Sequence, residues 1–131
     1  MNDRYAVIKR IRKTEIRMEE NVILVKSKHF ALSIIEIYKS LSAKNEHIMS
    51  KQLLRSGTSI GANAHEAVRG VSKADFYNKL NIALKEANET DYWLELLGES
   101  GYIEQKIYQK IKSECDEIIS ILVAITKTQQ K

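Results

Sequence analysis

Apolar residues recur along most of this chain at the three- and four-residue spacing of helices that bury one face. Phe30, Ile34, Ile37 and Leu41 follow each other at 4-3-4. They predict a first helix from about Asn21, a suitable N-cap, to Leu41. Ser42 to Glu46 is a polar connection. A second helix should run from about Glu46 to Arg69 and stop at Gly70, a residue that accepts the left-handed conformation favoured at helix ends. Ser72 then opens a third helix as N-cap, with Asp75 at the third helical position as in a capping box. Its core stripe is Phe76, Leu80, Ala83, Ala87, Thr90 and Leu94, and Gly101 follows its last turn. A fourth helix, Ile103 to Thr126, carries Ile107, Ile111, Cys115, Ile118, Leu122 and Ile125 at 4-4-3-4-3. Lys127 to Lys131 should fray. Four helices of this length with short joins predict an all-α, up-down-up-down antiparallel four-helix bundle.

Helices 2 and 3 each carry a second stripe that a bundle core does not need. Arg55, Ser59, Asn63 and Glu66 line one; Ile82, Glu86, Glu89 and Trp93 line the other. In an antiparallel pair turning at residues 70–72, Arg55 falls opposite Glu86, with Glu89 one turn further along. Ser56 and Ser59 are small enough to bring the helices within reach. An exposed pair of this kind is worth at most about 1 kcal/mol. Deleting one partner of a desolvated pair costs roughly 3–5 kcal/mol. Because Trp93 and Ile82 share the face, the expectation is a desolvated pair at a surface that packs against a neighbour.

Composition narrows the class. With 131 residues the chain is one domain, long enough to bury roughly 65–70% of its unfolded surface. It has no proline and five glycines, which suits helices throughout. The single cysteine, Cys115, cannot form an intramolecular disulfide and is most simply a small buried apolar residue. The longest apolar run, near Ile118–Ile125, is broken by Ser120, and no secretory leader pattern opens the chain. A soluble, cytoplasmic protein without a membrane partner is expected.

Net charge is +4 and unevenly placed. Arg4, Lys9, Arg10, Arg12 and Lys13 stand against Asp3, while the rest of the chain holds 16 basic and 16 acidic residues. Residues 1–17 therefore form a basic N-terminal extension, and residues 18–131 the bundle domain. The five basic residues are the candidates for contact with RNA or DNA. The contrasting reading is an ordinary solvated tail, with Met18 as the natural start.

The motifs that suggest chemistry dissolve on inspection. Gly57-Thr58-Ser59-Ile60-Gly61 has the pattern of a hydrolase nucleophile elbow, but that elbow follows a strand and needs a later histidine. Here it lies in a helical pattern, and no histidine follows His65. Gly57, Ile60, Gly61, Ala64 and Ala67 instead make a thin face for close helix packing. The G-K-[ST] ending of a phosphate-binding loop is absent. His65-Glu66 lacks the second histidine of a zinc helix, and none of the three histidines has a glutamate three residues earlier, as a di-iron bundle requires. No catalytic residues, metal or cofactor are expected, and no partner base accompanies Glu86 and Glu89.

The run RSGTSIGANAHEA, followed by SKADF, then IALKEANETDYWLELL and a glycine-tyrosine turn, resembles the bacterial four-helix-bundle family encoded in intervening sequences of large-subunit ribosomal RNA genes. The likeness covers roughly Met18 to Thr126. It implies a ring-like homopentamer without enzymatic activity. The chain is also similar to accessory proteins of diversity-generating retroelements, which work with a reverse transcriptase and bind nucleic acid through a basic surface. The implied partners are thus further copies of the chain, RNA or DNA, and a protein partner. Arg55, Ser59, Asn63, Glu66, Ser72, Asp75, Phe76, Glu86, Glu89 and Trp93 carry over as structural or interface residues.

Overall fold

The computed structural model describes residues 3–130, and side chains from Arg17 to Gln129 apart from Glu19. Four helices follow in order: α1 (Asp3–Ala43), α2 (Met49–Val68), α3 (Lys73–Glu99) and α4 (Gln105–Lys127), closed by a 3-10 turn at Thr128–Gln130. Each helix packs on the next, and α4 returns to α1. The cross-contacts run in opposite senses at every seam. Lys26 and His29 of α1 meet Glu117 and Glu114 of α4. Arg55 and Glu66 of α2 meet Glu86 and Lys79 of α3. The helices are therefore antiparallel neighbours, an up-down-up-down arrangement.

The core is the one that spacing predicts, with three exceptions. Ile23, Phe30, Ile34, Ile37 and Leu41 fill it from α1; Leu80, Ala83, Ala87 and Leu94 fill it from α3. Phe76 is only half-buried, and its neighbour Tyr77 takes the buried place, with its hydroxyl bonded to Thr128 at 2.5 Å. Ile107 is 47% exposed, because α4 and α1 splay apart at that end around an apolar cleft of about 420 Å³ that Ile107 lines. Helix α1 starts at Asp3 rather than at an Asn21 cap. Lys, Arg, Glu and Ile are all compatible with helix, so nothing in residues 3–20 stops it. Arg4, Lys9, Arg10, Arg12 and Lys13 fall on α1 by position, but their side chains lie outside the described residues.

The thin face of α2 packs as expected, and its neighbour is α1. A Cβ at Gly57 would come within 2.9 Å of two Ile34 atoms, and one at Gly61 within 3.3 Å of Ser27 Oγ. The helix ends differ more. Gly101 has φ +85 and ends α3, with Tyr102 N–H bonded to Leu97 O and Gly101 N–H to Gly98 O. The matching left-handed residue after α1 is Asn45, φ 63, with the same pair of bonds from Glu46 and Asn45 to Leu41 and Ser42. Gly70 does not take a positive φ. It is small for another reason: a Cβ there would lie 2.7 Å from the Asp75 carboxylate.

Among the described residues no helix is long and apolar enough to cross a membrane.

Candidate functional site

The polar stripes of α2 and α3 meet along one seam. Spacing places Arg55, Ser59, Asn63 and Glu66 on consecutive turns of α2, and Ile82, Glu86, Glu89 and Trp93 on consecutive turns of α3. Beneath them the seam is closed by a buried polar contact: Thr90 Oγ1 lies 2.9 Å from Ser56 Oγ and 2.7 Å from Glu86 O. These small side chains hold the helices close enough for the outer groups to meet.

At one end of the seam the Arg55 guanidinium is clamped by two carboxylates. Nη1 donates to Glu86 Oε2 at 3.1 Å, and Nη2 donates to Glu89 Oε1. Glu89 Oε1 also accepts from the Trp93 indole N–H at 3.2 Å. Gln52 Oε1 accepts from Arg55 Nε at 3.4 Å. The indole is thus oriented through a carboxylate that is itself held by the arginine. Towards the other end, Glu66 pairs with Lys79 at 3.0 Å.

Ser59 and Asn63 do not join this network. Ser59 Oγ donates to Arg55 O at 2.6 Å, and Asn63 Nδ2 donates to Ser59 O at 2.8 Å, both back along their own helix. Such back-bonding satisfies a short polar side chain without a cross-helix partner. Ile82 has no polar function and stands 43% exposed between the two paired ends.

The expected desolvation of Arg55 is not present in the single chain. Its side chain is 48% exposed, with Glu86 at 19% and Glu89 at 35%. Water reaches the guanidinium because the stripe lies on the rim of the seam, outside Ser56 and Thr90. Trp93 is half-buried and packs against the core edge, with Tyr92 beside it at a ring-centroid distance of 5.7 Å.

Several polar groups escaped the sequence reading. Lys79 was legible in principle, since it lies in antiparallel register with Glu66. Lys112 of α4 bridges Asp91 of α3 and Asp116 of its own helix. The hydrogen bond to Asp91 raises its pKa most, burial opposes, and the bond to Asp116 adds to the rise; the ammonium ends well above the usual lysine range. Glu46 caps α2 from two residues before the helix. Its carboxylate accepts from the N–H groups of Ile48, Met49 and Ser50 at 3.2, 3.0 and 2.7 Å. Burial pushes this carboxyl up, but the three backbone donors outweigh it and hold it below its ordinary range.

Cys115 is fully buried, and its nearest acceptor is Ala87 O at 3.6 Å. Burial, with the charges of Asp91 and Asp116, pushes the thiol up to about 12. No group of three His, Cys, Asp or Glu side chains placed to hold a metal occurs among the described residues.

A family model described as 23S rRNA-intervening sequence protein matches residues 19–124. The fold is similar to the crystal structure of a protein of unknown function from the S23 ribosomal protein family of Bacteroides thetaiotaomicron. The two are 54% identical, with a TM-score of 0.81, covering 83% of this chain and 98% of that one. No curated protein matches the chain.

Proposed function

The chain belongs to the family described as 23S rRNA-intervening sequence protein, and from that premise we propose that it is a non-catalytic, self-associating helical bundle serving as an assembly module for RNA or DNA. The observation that carries the reading is the α2/α3 seam. Its carboxylates are engaged in holding the two helices and the indole: Glu86 and Glu89 by Arg55, Glu66 by Lys79. Groups committed in this way build a surface rather than a reaction centre. Ile82 and the half-buried Trp93 then give that ordered surface its apolar contact area, the aromatic-anchor pattern of protein interfaces.

Self-association also gives the charge distribution a purpose. One chain offers Arg4, Lys9, Arg10, Arg12 and Lys13 near its start against an otherwise balanced body. A ring of five, the stoichiometry that the resemblance implies, would present five such segments at once, and weak phosphate contacts would then act together.

Filter retention of structured RNA across a salt series tests the nucleic-acid part. Retention should fall steeply as salt rises. Retention that is absent, or indifferent to salt, contradicts it. The exact charge balance of residues 14–131 favours a second reading, a purely protein–protein scaffold with an incidental basic segment. Beginning the chain at Met18 separates the two: the first predicts that RNA retention is lost while the oligomer mass per copy number is kept.

A further inference from the structure

Helix α1 carries two heptad stripes, and only one of them is used by the bundle. Ile23, Ser27, Phe30, Ile34, Ile37 and Leu41, at 4-3-4-3-4, are all buried. Met18, Val22, Val25, His29 and Leu32, at 4-3-4-3, lie about 140° further round the helix. These apolar side chains are 63%, 40%, 70% and 55% exposed for Met18, Val22, Val25 and Leu32. Four large apolar residues in heptad register along a solvent face are the seam of a coiled coil without its partner.

The sequence continues the same spacing in both directions. Towards the N-terminus it passes Glu15, Ile11 and Ile8 to Arg4; towards the C-terminus it reaches Glu36. The side chains before Arg17 lie outside the described residues, so only their helical positions enter. The stripe thus has a basic residue at one end, an acidic one at the other, and apolar positions between. That order is self-complementary when reversed.

We propose that the outer face of α1 pairs antiparallel with α1 of a second copy. Met18 then faces Val22 of the second copy, Ile8 faces Leu32 of the second copy, and Arg4 faces Glu36 of the second copy. Every pair occurs twice about a two-fold axis between residues 18 and 22, an isologous contact. Charge favours this occupant. The basic positions 4–13 of one copy come alongside the stretch of the other where Glu36, Glu114 and Glu117 stand, with Lys110 the opposing cation of that stretch. Positions 9, 10, 13 and 17 fall on the other side of the helix, so pairing covers the apolar stripe and leaves basic positions for phosphate. The inference deepens the self-association proposed above and rests on it.

Disulfide trapping tests the register. Ile8→Cys and Leu32→Cys chains, mixed and mildly oxidised, should give a linked heterodimer as the main product, while Leu32→Cys alone stays mostly unlinked. Cys115 does not interfere, being fully buried. Linkage of Leu32→Cys to itself would mean parallel pairing and would overturn the inference, as would no linkage at all. Glu36→Arg should lower the yield at least several-fold, and adding Arg4→Glu should restore it. The unsubstituted chain's mass keeps the two readings apart. Multimers without trapped heterodimer leave self-association standing and remove α1 as the contact, whereas a monomer removes both.

Discussion

Arg55 and Glu86, thirty-one residues apart in the chain, meet at 3.1 Å across the α2/α3 seam, in the register that an antiparallel pair turning at residues 70–72 demands. The guanidinium is half in water, so its worth is set by screening and not by burial. A double-mutant cycle with Arg55→Ala and Glu86→Ala should give a coupling of about 0.5–1 kcal/mol by urea denaturation of the dissociated chain. A coupling near the roughly 3–5 kcal/mol of a desolvated pair would mean that a neighbouring copy covers it.

Glu46 provides a pH signature. Its carboxyl is held below the ordinary range in the folded chain, because three backbone donors outweigh burial. A lowered folded pKa gives stability that is present above the unfolded carboxylate pKa and is lost as pH falls through the folded value. Glu46→Gln should therefore cost about 1–2 kcal/mol at pH 7, in the range of lost helix caps. The gap to the parent should narrow below about pH 4. A gap that stays constant down to pH 3 would contradict the account.

Gly57 tests the α1/α2 approach. Alanine favours helix over glycine by about 1 kcal/mol. Yet its Cβ would fall 2.9 Å from Ile34 Cγ1 and Cγ2, near the root of a buried side chain. Gly57→Ala should therefore destabilise by about 1–3 kcal/mol through overpacking, and Ile34→Val in the same chain should recover part of it. Thermal unfolding of the three variants decides this; a stabilised Gly57→Ala would show that the helices can part freely.

Cys115 should behave as an inert core residue. Its thiol is fully buried and pushed up to about 12, so little thiolate exists at neutral pH. Modification by an aromatic disulfide reagent should proceed only through opening of the bundle and should speed up with urea in step with unfolding. Rapid reaction of the native chain would place the thiol at a surface.

Much of this was legible in spacing. Heptad positions from Phe30 to Ile125 gave away four helices, and the short joins forced antiparallel neighbours, so Arg55 could be matched to Glu86 by counting alone. Counting could not say how wet that pair is, because exposure depends on how deep Ser56 and Thr90 draw the helices together. Nor could it find the start of α1, since residues 3–20 contain no stop signal and Asn21 is tolerated within a helix. Gly70 and Asn45 exchanged roles for a steric reason. The carboxylate of Asp75 occupies the space a side chain at 70 would need, while Asn45 supplies the left-handed turn. The outer stripe of α1 was hidden by its neighbour stripe, because two heptads offset along one helix read as a single apolar stretch.

Sedimentation velocity of the unsubstituted chain tests the central claim of self-association most directly. The account predicts a discrete species at a multiple of the 15.0 kDa chain mass across micromolar concentrations. A single sedimenting species of 15.0 kDa at every concentration would contradict it.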